Sequence, residues 1–134
     1  MENKKYLLIG EDDKFFSQVL SVKLSKEGFD VLIMPNGEEV LKVARQRKPD
    51  LILLDLIMPD KDAFETLKEI KLDPGLYDVK VIVSSGLVQK EDVEKVMALG
   101  ANGFVVKTDL SFSDLITKIN DLLCNSNPQT STSS

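Results

Sequence analysis

Seven residues of this 134-residue chain have side chains that could do chemistry together: Glu11, Asp12 and Asp13 in one acidic run, a lone Asp55, the pair Ser84-Ser85, and Lys107. Carboxylates drawn to one place repel each other unless a cation stands among them. An all-oxygen donor set with few protein contacts suits Mg²⁺, which keeps several of its waters, with Mn²⁺ as a substitute. A carboxylate beside such an ion stays ionised and can act as a nucleophile. The ion and an ammonium together neutralise the oxygens of an incoming phosphoryl group, which is the chief need of phosphoryl transfer. A serine hydroxyl can donate to one more of those oxygens.

Composition removes most other chemistries. The chain has no histidine, so Ser-His-Asp and Cys-His catalysis, imidazole bases and His-ligated zinc are all excluded. Its single cysteine, Cys124, cannot form an intrachain disulfide, which fits a reducing compartment. A net charge of −5 argues against nucleic acid or an anionic membrane as the main partner. No long apolar run follows Met1–Lys5, so no signal peptide is visible. No stretch approaches the roughly 18 apolar residues of a membrane span. A cytoplasmic protein is expected, with 43% apolar residues to build one core.

Five short apolar runs must position the reactive groups: Tyr6–Ile9, Val31–Met34, Leu51–Leu54, Val81–Val83 and Phe104–Val106. The first and third are continuous and bounded by charge, the pattern of strands buried on both faces of a parallel sheet. Amphipathic stretches lie between them. Phe16, Leu20 and Leu24 share a face, with Gly28 as a stop. Asn36-Gly37-Glu38-Glu39 opens a second helix that must end before Pro49. Phe64, Leu67 and Ile70 mark a third, ending before Asp73-Pro74-Gly75. Val93, Val96 and Met97 mark a fourth, closed by Gly100. Phe112, Leu115, Ile116, Ile119, Leu122 and Leu123 mark the fifth. Five βα units in series predict an α/β fold: a doubly wound, flavodoxin-like parallel sheet in the order 2-1-3-4-5. The domain is expected to span residues 1–124. The Ser/Thr-rich stretch 125–134 has no apolar face and reads as a disordered tail or the start of a linker.

Such sheets bind ligands beyond the carboxyl ends of their strands, at the point where strand order reverses. Four different strands here end in Glu11-Asp12-Asp13, Asp55, Ser84-Ser85 and Lys107-Thr108. Each piece alone has an ordinary explanation: a helix cap for Asp12 or Asp13, a turn for Asp55, a loop for the serines, a solvated lysine for Lys107. Their convergence on one edge is what favours a phosphoryl-transfer site.

Taken together, these residues resemble the receiver domains of two-component signalling. Leu7-Leu8-Ile9-Gly10-Glu11-Asp12-Asp13 is similar to the family's first strand and acidic pocket. Asp55-Leu56-Ile57-Met58-Pro59-Asp60 resembles its phosphoacceptor motif, with Met-Pro three and four residues after the aspartate. Val81–Gly86 and Gly100–Lys107 are similar to its fourth and fifth strands. The resemblance runs from Lys5 to about Leu123. It implies that Asp55 is the phosphoacceptor. It implies Mg²⁺ held by Asp12 and Asp55, by Glu11 mainly through water, and by the Ile57 carbonyl. Ser85 and Lys107 would meet the phosphoryl oxygens. Phe104 would occupy the aromatic switch position that moves with the serine. Gly86 after Ser85, and the spacing to Lys107, select Ser85; Ser84 then stands where the family usually has an apolar residue.

Two residues depart from the pattern. Thr108 follows the lysine where the family has a proline in a cis bond, and Ala63 stands where the phosphorylation loop usually has glycine. Alanine resists positive φ, so an adjusted turn is expected there. The resemblance implies a phosphorylation-controlled signalling switch. A histidine kinase or histidine phosphotransfer protein would supply the phosphoryl group. The surface of the fourth helix, fifth strand and fifth helix would be read by a downstream protein or an output domain. Ile57 and Leu87, two residues beyond Asp55 and Ser85, are both apolar and imply a slowly decaying phosphoryl group. A phosphorylation-independent pseudo-receiver is the main alternative. An aspartyl phosphatase is disfavoured because Ile57 stands where it needs a second acid. A flavin carrier is disfavoured because the acidic run would repel its phosphate.

Overall fold

The computed structural model describes residues 4–87, 89–108 and 111–124; the predicted tail lies outside them. Strands β1 (Tyr6–Gly10), β2 (Asp30–Met34), β3 (Leu51–Asp55), β4 (Lys80–Ser85) and β5 (Gly103–Val106) form one parallel sheet in the order β2-β1-β3-β4-β5. Helices α1 (Lys14–Lys26), α2 (Gly37–Gln46), α3 (Ala63–Leu72), α4 (Lys90–Ala98) and α5 (Phe112–Cys124) connect and follow them. This is the doubly wound arrangement that the alternating runs predict. None of the described helices is long and apolar enough to cross a membrane.

Alternation along each strand divides the core in two. Leu8, Ile52, Leu54, Val81 and Val83 face α2, α3 and α4, where Val40, Leu67, Ile70 and Val96 meet them. Leu7, Ile9, Leu53, Ile82 and Val105 face α1 and α5, against Leu20, Leu24, Leu115 and Ile119. Strands β1 and β3 are buried along their whole length, as their unbroken apolar runs require. β4 extends two residues past its apolar run, because Ser84 and Ser85 pair with Val105 and Val106.

The register is held at the edge opposite the acidic run. The Asp50 carboxylate accepts a hydrogen bond from the Tyr6 amide at 2.7 Å, while the Asp50 amide donates to the Tyr6 carbonyl at 2.9 Å. Asn102 does the same for β4: its side-chain oxygen accepts from the Val81 amide and its amide donates to the Val81 carbonyl. A slip of one residue would turn each strand inside out, so these paired bonds help decide which residues emerge at the far edge.

Local signals set the helix ends. Asp13, Asn36 and Asp62 cap α1, α2 and α3 by accepting backbone N–H bonds through their side chains. Gly28 and Gly100, at φ +97° and +107°, supply the left-handed residues that end α1 and α4. The turn expected to strain Ala63 lies elsewhere. Ala63 is the first residue of α3, and the left-handed position falls on Asp60 (φ +66°), a residue type that tolerates it better than most. Among the described residues no peptide bond is cis, that joining Lys107 and Thr108 included.

Gly37 opens α2 hard against the β3–α3 loop. Its amide donates to the Lys61 carbonyl, and an added Cβ would stand 1.9 Å from Thr66 Oγ1 and 2.6 Å from the Lys61 carbonyl oxygen. Gly37→Ala is therefore expected to lower the urea unfolding free energy by about 1–3 kcal/mol, the usual cost of overpacking. Thr66→Ala in the same chain should recover only part of the loss, because the backbone clash remains. Unchanged stability of the single variant would contradict this packing.

Candidate functional site

Register alone brings the acidic residues together. Gly10 pairs with Leu54, so the next residue on each strand, Glu11 and Asp55, come side by side. Asp55 in turn pairs with Ser84 and Ser85 with Val106, after which the chain delivers Lys107. The Lys107 amide donates to the Ser85 carbonyl at 2.8 Å, and the Leu56 amide to the Ser84 carbonyl at 2.7 Å, extending the ladder through the site.

One carboxylate oxygen each from Glu11, Asp12 and Asp55 lies within 4.8 Å of the other two. Glu11 and Asp55 are buried, while Asp12 faces solvent. The Lys107 ammonium donates to Glu11 Oε1 at 2.8 Å and lies 3.3 Å from Asp55 Oδ2. Burial pushes both buried carboxyls above the usual carboxylate range, against the pull of Lys107. Burial also opposes the charge on Lys107, yet its hydrogen bond to Glu11 and the charge of Asp55 hold its pKa above the ordinary value. One ammonium is thus set among three carboxylates. The charge deficit and the all-oxygen donor set fit a hard divalent cation such as Mg²⁺, with Glu11, Asp12 and Asp55 as the residues able to hold it.

The other predicted residues ring this cluster. Asp13 is not part of it: its carboxylate caps α1, accepting from the Phe15 and Phe16 amides at 3.0 and 3.2 Å. Ser85 is buried at the end of β4, its hydroxyl accepting from the Leu87 amide at 3.2 Å. Ser84 is also buried, but it lines a small cavity on the α1–α5 side, and its hydroxyl donates a long 3.5 Å hydrogen bond to the Leu54 carbonyl. Phe104 is half-buried and packs on the α2–α4 side. Ile57 and Leu87 are 72% and 68% exposed at the rim. The Ile57 backbone amide favours the charged form of the Asp55 carboxylate, against its burial.

Two features escaped the sequence reading. The Phe16 ring lies 4.6 Å from the Lys107 ammonium; nothing in the helical spacing of Phe16 distinguishes it from an ordinary core residue. Lys61 on the loop after β3 pairs with Glu69 and Glu38, and the adjoining Asp60 accepts from Asn36 Nδ2 at 3.2 Å. These contacts tie that loop to the start of α2.

Comparison with known proteins agrees with this geometry. A family model described as "Response regulator receiver domain" matches residues 7–120. The alkaline phosphatase synthesis transcriptional regulatory protein PhoP of Bacillus subtilis is 32% identical over 107 residues, covering 78% of this chain and 42% of that protein. Among solved structures, the phosphorylated cyanobacterial phytochrome response regulator RcpA superposes with a TM-score of 0.81 at 27% identity, over 93% of this chain and 97% of that one. The Mn²⁺-bound form of response regulator Rcp1 gives 0.75 at 28% identity, over 88% and 91%. The chain spans about half the length of the curated relatives it matches.

A carboxyl with a raised pKa binds its proton more tightly folded than unfolded, so the metal-free protein should lose stability as pH rises above the ordinary carboxylate range. The ion-paired Glu69, Asp73 and Asp78 carboxyls are shifted down. Their contribution is complete above the ordinary carboxylate range, which leaves this window to the site. Urea unfolding in EDTA should show the loss in the natural protein and a smaller one in Asp55→Asn. Equal slopes would contradict the placement of Asp55.

Proposed function

Because this chain belongs to the response-regulator receiver-domain family, whose members are switches in two-component signalling, we propose that it is a phosphorylation-controlled switch with Asp55 as its phosphoacceptor. The observation that carries this is the meeting of Glu11, Asp12 and Asp55 oxygens within 4.8 Å at a strand edge where Lys107 is the facing cation.

In this reading an Asp55 carboxylate oxygen attacks the phosphorus of a phosphohistidine. A P–O bond forms, the P–N bond breaks, and the imidazole leaves with the electron pair and takes a proton. The donor is a histidine kinase or a histidine phosphotransfer protein, in the cytoplasm. Glu11, Asp12, Asp55 and the Ile57 carbonyl are the groups that would hold Mg²⁺, which when bound supplies positive charge to the phosphoryl oxygens. Lys107 donates to one of those oxygens and Ser85 to another. To do so, the Ser85 hydroxyl must turn from the Leu87 amide toward the site. The space it leaves lies on the same side of the sheet as Phe104, so inward movement of that ring would couple the site to the surface of α4, β5 and α5. A downstream protein or an output domain would read that surface; the greater length of the relatives favours an output domain. Hydrolysis returns the Asp55 carboxylate and inorganic phosphate.

Intact-protein mass spectrometry after acetyl phosphate with Mg²⁺ tests the assignment. One added phosphoryl mass is expected, and it should vanish in Asp55→Asn and in EDTA. A folded protein that gains none from acetyl phosphate or from a phosphorylated histidine phosphotransfer protein would be a phosphorylation-independent binding module instead. Neither Ile57 nor Leu87 can orient an attacking water, so the phosphoryl group should decay slowly. Ile57→Asn combined with Leu87→Glu should speed its loss by about tenfold, less than a fully aligned general base achieves. An unchanged or slower decay would contradict that role for the two positions.

A further inference from the structure

We propose that Phe16 is a positioning residue for Lys107, holding the ammonium over its ring face so that it stays aimed at the phosphoryl site. The proposal rests on the switch reading above and goes beyond it, since an apolar side chain on α1 has no part in the phosphoryl chemistry itself. Among the described residues the ammonium has three close neighbours: Glu11 Oε1 at 2.8 Å, Asp55 Oδ2 at 3.3 Å, and the Phe16 ring centroid at 4.6 Å. A cation within about 6 Å of a ring face is attracted by the ring quadrupole, more strongly where water is partly excluded. The Lys107 side chain is 18% exposed, so this contact is largely shielded.

The ring has a role that the carboxylates cannot fill. Glu11 and Asp55 are the groups that would hold a metal ion and, for Asp55, the phosphoryl group itself. An ammonium that turns from them to a phosphoryl oxygen needs one neighbour that takes part in neither event. The ring attracts the cation without accepting its proton, so it does not compete for the hydrogen bonds that phosphoryl oxygens receive. Packing leaves room beside the lysine: Lys107 lines a cavity of about 60 Å³ together with Phe16, Leu20, Ser84, Val105 and Phe112. With open space beside it, the aim of Lys107 depends on what its head group touches.

Asp13 then has a part in the site without placing its carboxylate there. Its carboxylate accepts the Phe16 amide hydrogen bond at 3.2 Å and caps the helix that carries the ring. Its own amide donates to Glu11 Oε2 at 3.2 Å, so one residue fixes two of the three neighbours of Lys107. The third acid of the Glu11-Asp12-Asp13 run thereby acts on the lysine through the ring.

The test replaces Phe16 with mono-, di- and trifluorinated phenylalanine, which keep shape while progressively draining the ring face of negative potential, and separately with Leu and Tyr. Two quantities are read for each: the rate of phosphoryl uptake from acetyl phosphate with Mg²⁺, and the NMR shift of the Lys107 ε-methylene protons. In the natural protein those protons should lie upfield, displaced by the ring current, and return to the ordinary lysine position in Phe16→Leu. Uptake should fall stepwise with fluorine number, reaching about a fivefold loss in the trifluoro and Leu proteins, a typical cation–π contribution. Phe16→Tyr should restore most of the rate. Thermal midpoints should not follow the same order, as they would if the ring were only filling space. A flat fluorine series in a protein that is phosphorylated normally, or unshifted Lys107 protons, would overturn the positioning role and leave the switch reading intact. A natural protein that takes no phosphoryl group would instead remove the switch reading, and this inference with it.

Discussion

Two carboxylates are buried side by side at the end of a parallel sheet, with one lysine to answer them. Glu11 and Asp55 occupy this place because Gly10 and Leu54 are register partners, and each chain takes one more step before leaving the sheet. Burial alone would press both groups to hold their protons; the Lys107 ammonium offsets part of that cost. The arrangement is stable enough to exist and still short of positive charge. A site in that condition is prepared for a cation and then for an anion delivered to it.

The rest of the molecule maintains this condition. Asp50 and Asn102 lock strand register at one edge, and the reactive groups emerge at the other. The two apolar layers keep α1 and α5 on one side, where Phe16 reaches Lys107, and α2, α3 and α4 on the other, where Phe104 packs. The loop that carries Ile57 and Met58 is itself tied back to α2 through Gly37, Asn36 and Lys61. Neighbouring elements thus constrain the site from both faces of the sheet.

The fold is written strongly in the chain because strands buried on both faces cannot tolerate polar interruptions. Leu51–Leu54 and Tyr6–Ile9 are therefore unbroken apolar runs, and a strand-end acid after such a run must emerge at the carboxyl edge. The gathering of Glu11, Asp12, Asp55 and Lys107 follows from that logic. Other features do not, for identifiable reasons. Asp13 suits a helix cap and a metal pocket equally well by type, and only the position of its carboxylate against the Phe15 and Phe16 amides decides. The left-handed turn settled on Asp60 rather than Ala63, since a single residue in a loop can absorb what its neighbours cannot. The Phe16–Lys107 contact joins residues 91 positions apart (107 − 16), and no local pattern encodes such a meeting. Asp50 and Asn102 read as ordinary loop polar residues until the strands they staple are in place.

One lysine facing three carboxylates leaves this pocket short of positive charge, and a divalent cation is expected to complete it. Beryllofluoride, a phosphoryl mimic, can be titrated into the protein and followed by ¹⁹F NMR with Mg²⁺ present or chelated. A bound signal of one site per chain is expected, requiring Mg²⁺ and lost in both Asp55→Asn and Asp12→Asn. Binding of equal strength in the presence of a chelator, or no binding to a folded protein at saturating Mg²⁺, would contradict it.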